Sequence, residues 1–102
     1  MRRSKIISAI KKATGQFSPG TEVKLFGSEA RKEAHRNSDV DLLILIKKDK
    51  VTIKDEEAIF SPLYQIELEY GILINPLILS HKEWNSRVTP FSETVNREGI
   101  LL

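Results

Sequence analysis

The chain has 102 residues, 16 basic against 14 acidic side chains, a formal net charge of +2 and no cysteine. A chain of this length buries about 60–65% of its unfolded surface, which sustains one core and no second module, so residues 1–102 are expected to form a single complete domain. A disulfide framework and a thiolate metal site are excluded, two separated histidines argue against zinc, and no run approaches the roughly 18 apolar residues of a membrane span; a cytoplasmic setting is the natural expectation.

The opening MRRSKIISAIKK is basic at its start, but Lys11 and Lys12 interrupt it before an apolar stretch of signal-peptide length. It reads instead as a helix over residues 4–13: Ile6, Ile10 and Ala13 recur at helical spacing with Ile7 beside them, Lys5, Lys11 and Lys12 face water, and Gly15 stops it. Ser18-Pro19-Gly20 is turn chemistry, and residues 21–26 form a short strand with Val23 and Leu25 on one face. That strand delivers Gly27. Ser28 then caps a small helix over residues 28–35, His35-Arg36-Asn37-Ser38 is a polar connection, and residues 39–46 are a central strand whose apolar run means that both faces are covered.

Lys47-Lys48-Asp49-Lys50 ends the strand in solvent. Residues 51–70 are mostly helical in pattern, with two readings at Pro62: one helix kinked there, or a first segment ending near Phe60 and a second with Ser61 as cap and Pro62 at its first position. In either case Leu63, Ile66 and Tyr70 share a face and Gly71 terminates. Residues 72–79 are a third strand, pushed by Pro76 toward an edge position or a bulge. Ser80 and Glu83 form a capping box for a short turn around Trp84. Thr89-Pro90 opens a last helix with Phe91 and Val95 on its inner side, ending near Gly99. Trp84 and Phe91 are expected in the core, and the apolar tail Ile100-Leu101-Leu102 is expected packed against the domain or a partner. No internal repeat or low-complexity segment interrupts this order.

The chemistry concentrates in residues 25–46, LFGSEARKEAHRNSDVDLLILI. Strand side chains alternate faces and rise about 3.3 Å per residue, so Asp39 and Asp41 point the same way with Cα atoms about 6 to 7 Å apart and can converge on a divalent metal. Gly27 lets backbone approach a ligand closely, and the unpaired amides of a first helical turn suit phosphate. Arg31, within a turn of the helix start, is the preferred phosphate contact, although Arg31, Lys32 and Arg36 read equally well as a solvated face. His35 and His81 have no carboxylate or nucleophile partner nearby in sequence and read as surface residues. Paired carboxylates beside a phosphate cradle are the equipment of metal-assisted phosphoryl or nucleotidyl transfer.

Gly27-Ser28, ten intervening residues and Asp39-Val40-Asp41 resemble the Gly-Ser-x10-Asp-x-Asp pattern of the polymerase-beta-like nucleotidyltransferases, and most closely the minimal nucleotidyltransferase domains of bacteria and archaea. The preceding apolar strand, the LLILI run and the order of elements agree with that family over nearly the whole chain. The resemblance implies an α/β (α+β) fold, with a small mixed sheet of three to five strands flanked by helices. It implies an enzyme that moves a nucleoside monophosphate, usually AMP from ATP, to an acceptor hydroxyl and releases pyrophosphate. One or two Mg²⁺ ions, with Mn²⁺ as an alternative, would be held by Asp39, Asp41 and the triphosphate. Gly27 and Ser28 would hold the terminal phosphates, and Ser38 would orient the carboxylates. Domains similar to this one act as antitoxins by attaching AMP to a tyrosine of a helical HEPN-type partner.

The strand that carries a third carboxylate in the family reads Ile72-Leu73-Ile74-Asn75-Pro76-Leu77 here, with Asn75 as its one polar side chain. Glu67 and Glu69 precede it on a helix, where a solvent-facing role is the simpler reading. A second class therefore stays open: a catalytically weak or inactive nucleotide-binding module that works by binding a helical partner. Homo-oligomerisation also stays open. Direct RNA binding is not indicated, since there is neither an aromatic-rich sheet motif nor a concentrated basic stripe.

Overall fold

The computed structural model describes residues 2–34 and 38–102; the expectations for His35, Arg36 and Asn37 lie outside the described residues. In chain order the elements are α1 (Arg2–Thr14), β1 (Glu22–Phe26), β2 (Val40–Ile46), α2 (Ile53–Tyr70), β3 (Ile74–Ser80), α3 (His81–Asn85), α4 (Pro90–Glu98) and β4 (Ile100–Leu101). The strands form one mixed sheet in the order β3-β2-β1-β4. β1 runs antiparallel to β2 and β4, whereas β3 runs parallel to β2. The parallel joint follows from α2: a strand that returns in the same direction needs a long crossover, and an 18-residue helix supplies it.

Period-two alternation assigns the two faces of β2 to different partners. Val40, Leu42, Ile44 and Ile46 pack with Ile6 and Ile10 of α1 and Ile59, Leu63 and Ile66 of α2. Leu43 and Leu45 face a smaller cluster with Trp84 and Val95, joined by Phe26, Leu77 and Leu79. Both faces are therefore covered, as the LLILI run requires. Asp41 continues the row of Leu43 and Leu45 toward the open end of the sheet.

Several local expectations hold. α2 runs as one helix through Pro62, opened by a Thr52–Asp55 capping box and closed by Gly71 in the left-handed region. Burial of Ile59, Leu63 and Ile66 carries the helix across the hydrogen bond that proline cannot donate. Capping boxes also start α3 at Ser80 and α4 at Thr89. The tail adds β4 to the outer edge of β1, and the Leu102 N–H donates to the Val23 carbonyl, but of its side chains only Leu102 packs against the core while Ile100 and Leu101 stay exposed.

Three expectations are corrected. The small helix expected over residues 28–35 is absent among the described residues of that stretch, and residues 27–32 form turns instead. The Lys32 N–H donates to Glu29 C=O and the Glu33 N–H to Ser28 C=O, with Lys32 at φ 58°. That is a Schellman closure, which ends a helix after a single turn. Phe91 is half exposed: it contacts Phe26 and Trp84 edge-on, with ring centroids 5.7 and 6.3 Å away, but its position on the first turn of α4 leaves 49% of it open. Glu67 is half-buried rather than solvent-facing, and its Oε2 accepts the Ile74 N–H at 2.8 Å.

That last bond bears on β3 as an edge strand. The Val40 N–H donates to Leu73 C=O, so the ladder uses the odd-numbered backbone groups of β3 and turns Ile74, Pro76, Ile78 and Ser80 outward. The Ile74 N–H is taken by Glu67, Pro76 has none, and the Ser80 N–H donates to Glu83 Oε1. The edge is thereby blunted against strand addition, and the start of β3, next to Asn75, is pinned to α2.

Candidate active site

β2 is the organising element. Its register opposes Asp41 to Phe26 on one side and to Asn75 on the other. Phe26 is the last residue of β1, so the chain turns at Gly27 directly beside the Asp41 carboxylate. Gly27 has φ 69°, and a Cβ placed there would collide with Asp41 Oδ2. The glycine is required twice: for the left-handed backbone and for the space it leaves against the carboxylate.

The two aspartates converge. Asn75 Nδ2 donates to Asp39 Oδ2 at 3.3 Å and to Asp41 Oδ1 at 3.2 Å, so one nitrogen sits between both carboxylates. Asp39 is exposed and Asp41 half-buried. Among the described residues no cluster of three or more His, Cys, Asp or Glu gathers. Two carboxylates and an amide, open to solvent, match the way Mg²⁺ is held, by one or two carboxylates with the remaining positions filled by water and phosphate oxygens. The residues therefore fit the metal that the sequence motif implies. Asn75 meets the carboxylates with its donor end; a half-turn of the amide presents Oδ1 to a cation instead.

The remaining expected site residues are placed as follows. Ser28 follows Gly27 in the turn, half-buried, with its carbonyl engaged by the Glu33 N–H. Ser38 adjoins Asp39, and its carbonyl accepts from Arg3 Nη1 at 2.6 Å. Arg31 does not reach the carboxylates: its guanidinium lies 3.2 Å from Glu33 Oε2 and 3.8 Å from Glu98 Oε2, and it must exchange these partners to meet a phosphate. His81 is remote, at the opposite end of β3, with Nε2 at 3.0 Å from the Gly20 carbonyl.

Sequence reasoning missed Arg3 and Glu29, which form an ion pair with only 16% of each side chain exposed. No local pattern announces a pair 26 residues apart. A concavity of about 810 Å³ lies between α1 and α2 and is lined by Lys5, Lys12, Pro62 and Tyr70 among others. It opens on helices rather than on the carboxylates, so it is not the site read here. No helix among the described residues is long and apolar enough to cross a membrane.

Comparisons with known proteins bear on the family and the fold. A putative protein adenylyltransferase of Methanocaldococcus jannaschii is 45% identical over 78 residues, 76% of this chain and 74% of the relative. The fold matches a solved structure described as a putative minimal nucleotidyltransferase, at a TM-score of 0.59 and 24% identity over 98% of this chain and 91% of the other. It also matches the crystal structure of a toxin-antitoxin with AMP-PNP, at a TM-score of 0.63 and 21% identity over 92% and 69% of the two chains. Residues 7–95 match the nucleotidyltransferase domain family, and with the Gly27 turn set against the converging Asp39 and Asp41, this chain belongs to that family and is a nucleotidyltransferase.

Proposed function

We propose that this domain transfers AMP from ATP, with Mg²⁺, to a hydroxyl on a partner protein, and that it serves as an antitoxin toward a helical HEPN-type partner in the cytoplasm. The observation that carries the reading is the convergence of Asp39 and Asp41 on the single Asn75 nitrogen, beside a glycine whose missing side chain makes room for the Asp41 carboxylate. The relative described as a putative protein adenylyltransferase supports AMP as the group moved and protein as the acceptor, and the neighbour solved as a toxin-antitoxin with AMP-PNP supports the biological setting.

Asp39 and Asp41 would hold the metal, with the Asn75 side chain as the third polar group beside them. One or two Mg²⁺ ions, or Mn²⁺, supply neutralisation of the triphosphate and a lowered pKa for the acceptor hydroxyl. The Gly27 and Ser28 backbone and the Ser28 hydroxyl hold terminal phosphate oxygens, Arg31 leaves Glu33 and Glu98 to join them, and Ser38 steadies the carboxylates. The acceptor hydroxyl gives up its proton to water, its oxygen forms a bond to the α-phosphorus, the bond from that phosphorus to the bridging oxygen breaks, and pyrophosphate departs. Labelled ATP incubated with Mg²⁺, this protein and the product of its neighbouring gene should label that product, and Asp39→Asn should abolish the label.

Asn75 favours one other reading. A neutral amide holds Mg²⁺ less well than a carboxylate, so a module that binds nucleotide and occludes a helical partner without transfer also fits. Saturable Mg-dependent ATP binding with no label on any candidate acceptor would decide for it.

A further inference from the structure

The β1–β2 ladder ends at the pair Phe26 and Asp41. Beyond it the chain parts into the two halves of the site: the turn starting at Gly27 on one side, and Ser38-Asp39 on the other. Among the described residues no backbone hydrogen bond joins those halves, yet two aspartates and a phosphate-holding turn must keep one geometry. The join comes from α1. Arg3 Nε donates to Glu29 Oε1 at 3.0 Å, Nη2 pairs with the same oxygen, and Nη1 donates to the Ser38 carbonyl at 2.6 Å.

We propose that Arg3 is a positioning residue for the nucleotidyl-transfer site, a bracket that fixes the Gly27–Glu33 turn and the peptide leading into Asp39 relative to one another. The inference rests on the two-carboxylate reading above. Glu29 lies in the Schellman turn, where its carbonyl accepts the Lys32 N–H, so holding its side chain holds the turn. The Ser38 carbonyl belongs to the peptide whose nitrogen is that of Asp39, so holding it sets the direction from which the Asp39 carboxylate reaches the metal. Only 16% of each side chain in the Arg3–Glu29 pair is exposed, which removes much of the screening that makes surface ion pairs weak. The task also needs arginine: a planar guanidinium forks to a carboxylate and a carbonyl at once, whereas a lysine ammonium on its flexible stem does not hold that fixed fork.

The test is a Mg²⁺ titration of α,β-methylene-ATP binding by calorimetry, in which the bond to be broken is replaced and only positioning is read. Each variant is measured at the same interval below its own unliganded Tm, so that a loss of overall stability does not enter. Arg3→Ala and Glu29→Gln should raise the Mg²⁺ midpoint about tenfold, the lower range for losing a group that orients metal ligands. Arg3→Lys should fall between Arg3→Ala and wild type, and Arg3→Ala/Glu29→Ala should be no worse than Arg3→Ala. Exposed Lys5→Ala, one helix position pair away, should leave the midpoint unchanged. If Arg3→Ala and Glu29→Gln keep the wild-type midpoint while Asp41→Asn abolishes Mg²⁺ dependence, the bracket is overturned and the site reading stands. If Asp41→Asn also keeps it, the site reading itself is lost, and the bracket with it.

Discussion

The two lengths of β2 make opposite use of the same backbone. From Leu42 to Ile46 every residue is buried, with Leu42, Leu43 and Ile44 at 0–1% exposure, and the strand joins both clusters of the core. At its other end Asp41 is half-buried, Asp39 just before it is exposed, and the neighbours are a turn glycine and an asparagine. One end supplies cohesion and, in the proposed function, the other supplies chemistry, with Val40, fully buried, between the two acids. Substitutions should therefore separate cleanly into those that cost activity and those that cost stability.

The sharpest contrast pairs Asp41→Asn with Ile44→Ala. Removing an Asp41 or Asp39 charge should lower transfer by more than about 100-fold, beyond what a merely supporting partner costs, while leaving Tm unchanged or higher, since two converging carboxylates repel in the absence of a cation. Ile44→Ala should cost about 3 kcal/mol by transfer and cavity terms and lower Tm by roughly 12 to 24 °C for a domain of this size. The fraction that remains folded should transfer at the wild-type rate. Activity assays beside thermal melts check both, and an Asp41→Asn protein that loses stability as Ile44→Ala does would erase the division.

Gly27→Ala tests the boundary between the two lengths. The added Cβ meets Asp41 Oδ2 and the backbone stays at positive φ, so it should cost about 1–2 kcal/mol in stability and weaken Mg-dependent nucleotide binding together with it. Asn75→Asp sharpens the comparison in the other direction. A third carboxylate in the register position opposite Asp41 should tighten Mg²⁺ binding about tenfold and raise transfer, while lowering Tm in metal-free buffer through added repulsion. A rate that rises with Asn75→Asp identifies the missing acid as the limit on catalysis; a rate that falls shows that the amide has its own function there.

Much of this was legible from residue order, because the signals were local or periodic. The LLILI run announced a strand covered on both faces, Gly71 and the Ser80–Glu83 capping box marked helix ends, and Gly-Ser with Asp-x-Asp marked the candidate site. The misreadings share a different cause. Residues 28–35 looked helical because nothing in the sequence warns that Lys32 will adopt the left-handed conformation that glycine or asparagine usually takes. Arg3 looked like part of a basic flank and Glu67 like a solvated helix charge. Both are fixed by partners that only the tertiary fold brings near, and both turn out to hold the elements that carry Asp39 and Asn75.

The smallest effect is expected at Asp55, well outside the acid-bearing end of β2. Its carboxylate accepts from Lys48 Nζ at 2.8 Å and from the Thr52 backbone N–H and hydroxyl, each at 2.9 Å. The Lys48 hydrogen bond first, then the Thr52 bonds, lower its pKa from 3.8 to about 2. A carboxyl whose folded pKa is depressed contributes stability that is present above the unfolded value and lost as the pH falls through the window between the two. Asp55→Asn should therefore melt slightly below wild type at neutral pH, and the gap should close between pH 3.8 and about 2. Added salt should narrow it at every pH, because the Lys48 partner is exposed and screened. Transfer activity should not change. Here the capping box acts only to start α2, whereas an activity loss in Asp55→Asn would mean that α2, through Glu67 and the pinned start of β3, transmits its N-terminal order to Asn75.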